Sequence, residues 1–112
     1  MKGAACRRKG HDYEREIARL LAGIFGPENS RRGIQYRSGS EVPDVEVPAF
    51  WVECKRGRRT NIRAALVQAS EACHAPKWLL AVCKDDNDRA VAAMYLDDFI
   101  DLVREWWTSR KA

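Results

Sequence analysis

The sequence predicts an α/β fold with a mixed sheet of about five strands flanked by helices. Three observations predict it. Apolar residues recur at helical spacing near both ends and in the middle of the chain, two runs between them are rich in aromatic and β-branched residues, and turn-forming residues separate these segments. The chain has 112 residues, which suits one compact domain, so we expect residues 1–112 to form a single domain.

The N-terminal third is predicted to be a basic arm, a helix and the start of the sheet. Residues 1–9 are basic and are predicted to be a loose arm that Gly10 ends. From His11 to Phe25 apolar residues recur every three or four positions, which predicts an amphipathic helix that Gly26-Pro27 stops. A loop over 26–33 then leads to a strand over 34–37.

The rest of the chain supplies the other strands and two helices. The run Phe50–Cys54 has the composition of a buried strand, and Trp78–Cys83 that of a central strand covered on both faces. We expect, in order, a bend at Pro43, a short strand after it, the Phe50–Cys54 strand, a helix from about Ile62 to His74, the Trp78–Cys83 strand, a return strand over Ala90–Tyr95 and a helix from about Leu96 to Ser109. In the last helix, one of Trp106 and Trp107 is expected to pack on the core, and the other to stay exposed or to meet a second subunit.

Composition and charge indicate a soluble protein with a polyanionic partner. Hydrophobic residues make up 46% and charged residues 32% of the chain, which argues against disorder. No apolar run is long enough for a membrane span and no secretory signal is present, so we expect no membrane and a cytoplasmic location, in a prokaryotic or phage-infected cell. The net charge is +4, and the excess basic residues are clustered. The clusters are Arg7, Arg8 and Lys9; Arg31 and Arg32; and Lys55, Arg56, Arg58, Arg59 and Arg63. Such clusters are typical of nucleic-acid binding, although a merely solubilising surface would also carry them.

The stretch Val42–Lys55 carries the chemistry. Glu53 and Lys55 lie two residues apart in an apolar strand, so they point to the same face. A hairpin that joins Asp44 to this strand would bring the two carboxylates together. Two buried carboxylates lose favourable hydration unless a cation compensates them, and carboxylates suit Mg²⁺. A surface hairpin with an ordinary Glu–Lys pair is the alternative interpretation.

Other candidate sites are weaker. Cys73-His74 could be metal ligands, but no second pair accompanies them, and buried free thiols are the better interpretation of the four cysteines. The polar run over 85–88 resembles part of a calcium loop but lacks its glycine and distant glutamate, so it predicts a hairpin turn. Ser38-Gly39-Ser40 could hold a phosphate, and a plain turn is the simpler alternative.

Taken in order, these motifs resemble a known family. Pro43-Asp44 followed by Glu53-Cys54-Lys55 is similar to the PD-(D/E)xK nuclease superfamily, which has a restriction-endonuclease-like core. More closely, the chain resembles the archaeal-type Holliday-junction resolvases, which also occur in phages. The resemblance rests on Lys9–Glu16, Arg37–Ser40, Pro43-Asp44, Val52–Lys55 and Leu79–Val82, and it spans roughly residues 9–96.

The resemblance implies a function and a set of site residues. It implies a Mg²⁺-dependent endonuclease, with Mn²⁺ as a substitute, that works as a homodimer on branched DNA. Glu14, Asp44 and Glu53 would bind the metal, and Lys55 would position or activate the attacking water. The expected DNA contacts are Lys9, Arg15, Arg31, Arg32, Arg37, Ser38, Ser40, Arg56, Arg58, Arg59 and Gln68. The alternatives are a restriction-like or repair endonuclease on other DNA, and a non-catalytic nucleic-acid-binding module.

Overall fold

The protein is an α/β domain built on a five-stranded mixed sheet, seen here in a computed structural model. The structure describes residues 2–34 and 41–111, and only the backbone of Lys2 and Cys6. Its elements are α1 (Lys2–Phe25), a 3₁₀ turn (Pro27–Asn29), β1 (Arg31–Arg32), β2 (Val45–Glu46), β3 (Phe50–Gly57), α2 (Ile62–Ala72), β4 (Trp78–Asp85), β5 (Val91–Ala93) and α3 (Leu96–Lys111). The predicted α/β class, with a mixed sheet of five strands flanked by helices, and the predicted order of helices and strands are confirmed.

The strands lie side by side in sequence order. β3 and β4 are parallel because α2 connects them, and the other neighbouring pairs are antiparallel. α1 contacts β1, β2 and β3, whereas α2 contacts β3 and β4. The side chains of β3 alternate between these two helices, and this alternation positions the candidate site.

Two apolar clusters form the core, one on each face of β3 and β4. On the α1 face, Tyr13 and Ile17 pack against Val52 and Cys54. On the α2 face, a smaller cluster joins Ala65, Leu66, Ala81 and Cys83. The α2 face is therefore thinner in apolar material, and it leaves room for polar side chains beside β3.

The prediction of a loose arm over residues 1–9 is wrong for residues 2–9, because α1 begins at Lys2. Gly10 lies inside that helix, where one glycine costs only about 1 kcal/mol relative to alanine and does not end a helix between good helix formers. The strand expected over 34–37 falls mostly on residues 35–37, which lie outside the described part of the chain. Among the described residues, β1 lies at Arg31–Arg32, and Ile34 belongs to no strand.

Two side-chain hydrogen bonds hold α3 on the start of β4. Asp101 Oδ2 accepts a hydrogen bond from Trp78 Nε1 at 3.0 Å, and Asp98 Oδ2 accepts one from the backbone N–H of Leu79 at 3.1 Å. None of the residues 96–111, all of which the structure describes, is buried. The expectation that Trp106 or Trp107 packs on the core is therefore wrong. None of the described helices has an apolar stretch long enough to cross a bilayer.

Candidate active site

Asp44 and Glu53 face each other across two neighbouring strands. Val45 pairs with Val52 and Glu46 with Trp51, and one further step of this antiparallel register sets Asp44 opposite Glu53. The backbone N–H of Asp44 donates to the carbonyl of Val52 at 2.9 Å, which continues the pairing by one residue. Directly opposed side chains lie on the same face with their Cβ atoms about 4.5–5.5 Å apart. The two carboxylates therefore share the face that α2 covers.

Asp44 is oriented by the backbone of β3. Its Oδ2 accepts a hydrogen bond from the N–H of Cys54 at 2.9 Å. A carboxylate that accepts a backbone hydrogen bond keeps a defined direction. The strand that carries Glu53 thus also fixes the carboxylate of Asp44.

Glu53 is almost fully buried, with 2% of its surface exposed. Its Oε1 accepts a hydrogen bond from Trp51 Nε1 at 3.0 Å, whereas its buried Oε2 has no hydrogen-bond partner within residues 2–34 and 41–111. Burial, and after it the negative charge of Asp44, raises the pKa of Glu53 to about 8, against the opposing effects of Trp51 and Lys55. Two ionised carboxylates cannot donate to each other, so Oε2 needs either a proton shared with Asp44 or a bound cation.

Lys55 lies two residues beyond Glu53 on the same face of β3. Its Nζ donates to Gln68 Oε1 of α2 at 2.9 Å. A cavity of about 210 Å³ adjoins this position. It is lined by Glu41, Val42, Glu53, Gln68, Glu71 and Ala72. Gln68 therefore contacts Lys55 and also lines the cavity that Glu53 lines.

Sequence reasoning missed Glu41 and Glu71 as lining residues of this cavity. The position of Glu71 could have been found, because it follows Gln68 by three residues and so lies on the same side of α2. Glu41 gives no such signal, since only the folded loop before Pro43 brings it to the cavity.

Glu14 has a different partner from the other two acids. It lies on α1, and its Oε1 accepts a hydrogen bond from Arg32 Nε at 2.9 Å. Burial raises the pKa of Glu14, the hydrogen bond from Arg32 lowers it, and the charge of Asp44 raises it further. Glu14 is thus within electrostatic range of Asp44, while its own charge is neutralised by an arginine.

The predicted convergence of three carboxylates is not seen. Over residues 2–34 and 41–111, no group of three His, Cys, Asp or Glu side chains is arranged to hold a metal ion. The structure brings together Asp44, Glu53 and, on the same face, Lys55. Glu14 Oε1 is paired with Arg32 instead.

Several of the basic residues predicted to contact DNA form ion pairs with acids. Arg56 and Lys9 both reach Asp86 Oδ1, at 2.8 and 3.3 Å. Arg15 pairs with Asp12 at 3.1 Å, and Arg31 pairs with Glu46 at 3.4 Å. The pairs of Lys9, Arg15 and Arg31 are exposed, and such pairs contribute little to stability, so these residues can exchange the acid for a phosphate at small cost. The pair of Arg56 is partly buried.

The remaining predicted DNA contacts fall into two groups. Arg58 and Arg59 are exposed in the turn after β3, the strand that carries Glu53 and Lys55. Arg37, Ser38 and Ser40 lie outside the described residues. The structure therefore places exposed positive charge at the end of the strand that carries the acidic site.

Comparisons with known proteins give no match for this chain: no family model, no curated protein and no solved structure. What the protein does must be inferred from the side chains between β2, β3 and α2. Two opposed carboxylates, one with an unsatisfied buried oxygen, are suited to bind a hard divalent cation. A lysine beside them is suited to stabilise negative charge on a substrate.

Proposed function

We propose that the protein is a Mg²⁺-dependent, structure-selective DNA endonuclease with a restriction-endonuclease-like core, which cuts four-way junctions as a Holliday-junction resolvase does. The single observation that carries this proposal is the opposition of Asp44 to the buried Glu53, whose Oε2 has no hydrogen-bond partner among the described residues. The ordered motif resemblance supplies the junction as the substrate.

The carboxylate pair fits a magnesium ion by its chemistry. Mg²⁺ binds proteins through one or two carboxylates and keeps several waters, and the unsatisfied Oε2 offers a ligand that is already desolvated. Mn²⁺ accepts the same oxygen ligands and would substitute. When bound, such an ion polarises a phosphate oxygen and lowers the pKa of a bound water. Glu14 would complete the ligand set if Arg32 released it.

Lys55 is the residue that would assist the cleavage reaction. It lies on the same face as Glu53, and Gln68 holds its ammonium group at 2.9 Å. There it would favour a deprotonated water nearby and stabilise the charge that builds on the phosphate in the transition state. A methionine in its place would fill a similar volume without that charge.

Exposed arginines would hold the DNA backbone near the acids. Arg58 and Arg59 follow β3 directly, and contacts of arginine with phosphates position DNA without reading its sequence. Arg32 could exchange Glu14 for a phosphate. One such exchange would bring a phosphate to the site and free the third carboxylate.

The two alternatives predict different features. A non-catalytic binding module gains nothing from a carboxylate buried beside a second one, because both repel phosphate and desolvation of Glu53 destabilises the fold. A restriction-like or repair nuclease on other DNA would use the same acids and lysine. Only the choice of DNA substrate separates that alternative from the proposal.

A cleavage assay with matched DNA substrates tests the proposal. Wild-type protein, Asp44→Asn, Glu53→Gln and Lys55→Met are incubated with Mg²⁺ and with four-way, flap and linear DNA of the same sequences. We expect symmetric cuts near the branch by the wild type and a loss of at least about 100-fold in each variant, as for the loss of one transition-state contact.

Two glutamates of α1 provide a matched pair of variants. Glu16 is exposed on the same helix as Glu14, so Glu16→Gln removes the same charge and should leave cleavage unchanged. Glu14→Gln should slow cleavage if this residue joins the metal site. Cleavage of linear DNA alone would favour the restriction-like alternative. Binding without cleavage by any of the proteins would overturn the nuclease proposal.

A further inference from the structure

Two glutamates border the cavity beside Glu53 without a positive partner. Glu41 precedes β2, Glu71 lies in the last turn of α2, and both line this cavity of about 210 Å³ together with Glu53. Within residues 2–34 and 41–111, neither Glu41 nor Glu71 makes an ion pair or a side-chain hydrogen bond. Their negative charge is therefore not balanced by the described part of the chain.

Glu14, the third acid that the sequence leads us to expect at this site, differs from Glu71 in this respect. Its Oε1 accepts a hydrogen bond from Arg32 Nε at 2.9 Å, so an arginine neutralises it. Glu71 instead follows Gln68 by one turn on the same side of α2. The amide oxygen of Gln68 accepts the hydrogen bond from Lys55 at 2.9 Å. Because that amide is uncharged, the lysine is held without a carboxylate, and the charge of Glu71 remains to attract another cation.

The buried oxygen of Glu53 is the second observation that indicates a ligand in this cavity. Glu53 is 2% exposed and lines the cavity, and its Oε2 has no hydrogen-bond partner among the described residues. An ionised carboxylate oxygen can only accept hydrogen bonds, and leaving it unpaired in the interior costs free energy. A cation in the cavity would satisfy this oxygen, a need that exposed glutamates alone would not indicate.

The arrangement of the acids favours contact through water over direct ligation by all of them. In the described part of the chain, no group of three His, Cys, Asp or Glu side chains is arranged to hold a metal ion directly. Mg²⁺ is usually held by one or two carboxylates and keeps several of its waters. A water molecule takes about 30 Å³, so a cavity of about 210 Å³ has room for an ion with several waters. The cavity therefore suits a hydrated magnesium ion.

We propose that Glu71 of α2 supplies the third carboxylate of the magnesium site and that it binds the ion through the ion's waters. Glu41 adds negative charge at the same cavity, and Glu14 stays paired with its arginine. The inference rests on the proposed function for the ion itself, which Asp44 and Glu53 would bind directly. Glu71 is a positioning residue, because it would orient bound waters and touch neither the metal nor the DNA. Groups in this role typically strengthen metal binding about 10-fold to 100-fold.

The experiment measures metal affinity in the absence of DNA. Mn²⁺ binding to the full chain is followed by the electron paramagnetic resonance signal of the free ion, and Mg²⁺ is added as a competitor. Glu71→Gln keeps the size of the side chain but removes its charge, so it should weaken binding of both ions about 10-fold or more. Glu71→Asp keeps the charge and should stay within a few-fold of the wild type, because a water bridge accommodates a side chain that is one methylene shorter.

Two controls separate this role from a structural one. Glu105 is exposed on α3 and does not line the cavity, so Glu105→Gln removes the same charge and should leave the affinity unchanged. Urea unfolding without metal should show Glu71→Gln to be at least as stable as the wild type, because Glu71 is exposed and the substitution removes a negative charge beside Glu53. A residue with a purely structural role would instead lose stability without metal.

Two outcomes would overturn the inference and leave the proposed function intact. One is a Glu71→Gln protein that binds Mn²⁺ and Mg²⁺ as tightly as the wild type does. The other is a loss of affinity with Glu14→Gln but not with Glu71→Gln, because the third carboxylate would then come from α1. A wild-type protein that binds neither ion, or a Glu53→Gln protein that binds them as tightly as the wild type, would overturn the inference and the proposed function together.

Discussion

The two faces of β3 bury side chains to a similar extent with opposite energetic consequences. Val52 on the α1 face is fully buried, and Glu53 on the α2 face is 2% exposed. Burial of the valine removes apolar surface from water and stabilises the fold, whereas burial of the carboxylate destabilises its charged form. One strand thus carries a buried side chain that stabilises the fold on one face and a buried carboxylate that does not on the other.

The largest expected difference between the faces is in how the free energy of unfolding depends on pH. We expect this dependence to come from Glu53 on the α2 face. The pKa of Glu53 is about 8 in the folded protein and near 4.5 when the chain is unfolded. Between these values the folded state binds more protons than the unfolded state, so the contribution of Glu53 to stability is fully present below pH 4.5 and is lost as the pH rises to about 8. We expect the free energy of unfolding without metal to fall by an amount on the order of several kcal/mol over this window.

Urea unfolding at a series of pH values measures this dependence. Glu53→Gln should flatten most of the decline, because no buried carboxyl then remains to ionise at that position. Added Mg²⁺ should raise stability more at pH 8 than at pH 6, since an ion prefers ionised carboxylates. A wild-type stability that stays flat between pH 5 and 8 would contradict the unfavourable ionisation of Glu53.

A substitution on each face should next differ in its effect on the free energy of unfolding at pH 8. Val52→Ala removes two buried methyl groups from the cluster with Tyr13 and Ile17, and it should lower the free energy of unfolding by about 2 kcal/mol. Glu53→Gln removes the repulsion from Asp44 and adds an amide that can donate to it, so stability at pH 8 should stay equal or rise. Urea unfolding at that pH compares the two variants, and a Glu53→Gln loss as large as that of Val52→Ala would remove the distinction between the faces.

The alternation of side chains between the two faces of β3 could be predicted from the sequence, because it depends only on residues that are close together in the chain. Glu53 and Lys55 share a face in any strand, and a short connection fixes which residue lies opposite Glu53. The fold class could be predicted from the spacing of apolar residues within each segment, which is likewise a local property. Asp44 could therefore be placed beside Glu53 before the structure was known.

The features that sequence reasoning missed depend on distant contacts. The pairing of Glu14 with Arg32 joins residues on α1 and β1, and no spacing rule indicates it. The start of α1 at Lys2 was missed because Gly10 was interpreted as a stop signal. The exposure of Trp106 and Trp107 was missed because an amphipathic stripe shows which side of a helix is apolar, but not whether the same chain covers it.

The smallest expected effects on stability concern Lys55 and Arg56, which lie on opposite faces of β3. Arg56 pairs with Asp86 at 2.8 Å with both side chains about a quarter exposed, so Arg56→Met should destabilise the fold by at most about 1 kcal/mol. Among the described residues, the side chain of Lys55 hydrogen-bonds to Gln68 alone, so Lys55→Met should change the free energy of unfolding by less than about 0.5 kcal/mol.

Their effects on activity should be in the opposite order. Cleavage should fall at least about 100-fold with Lys55→Met, because the charge lost would act on the transition state. Arg56→Met should weaken DNA binding and its salt dependence while leaving the single-turnover rate at saturating enzyme within a few-fold, since a phosphate contact positions DNA without entering the reaction. Single-turnover cleavage and urea unfolding on the same two variants provide the measurement. If Arg56→Met lost as much single-turnover rate as Lys55→Met, the chemistry would not be confined to the α2 face, and the assignment of Lys55 would fail even with Asp44 and Glu53 in place.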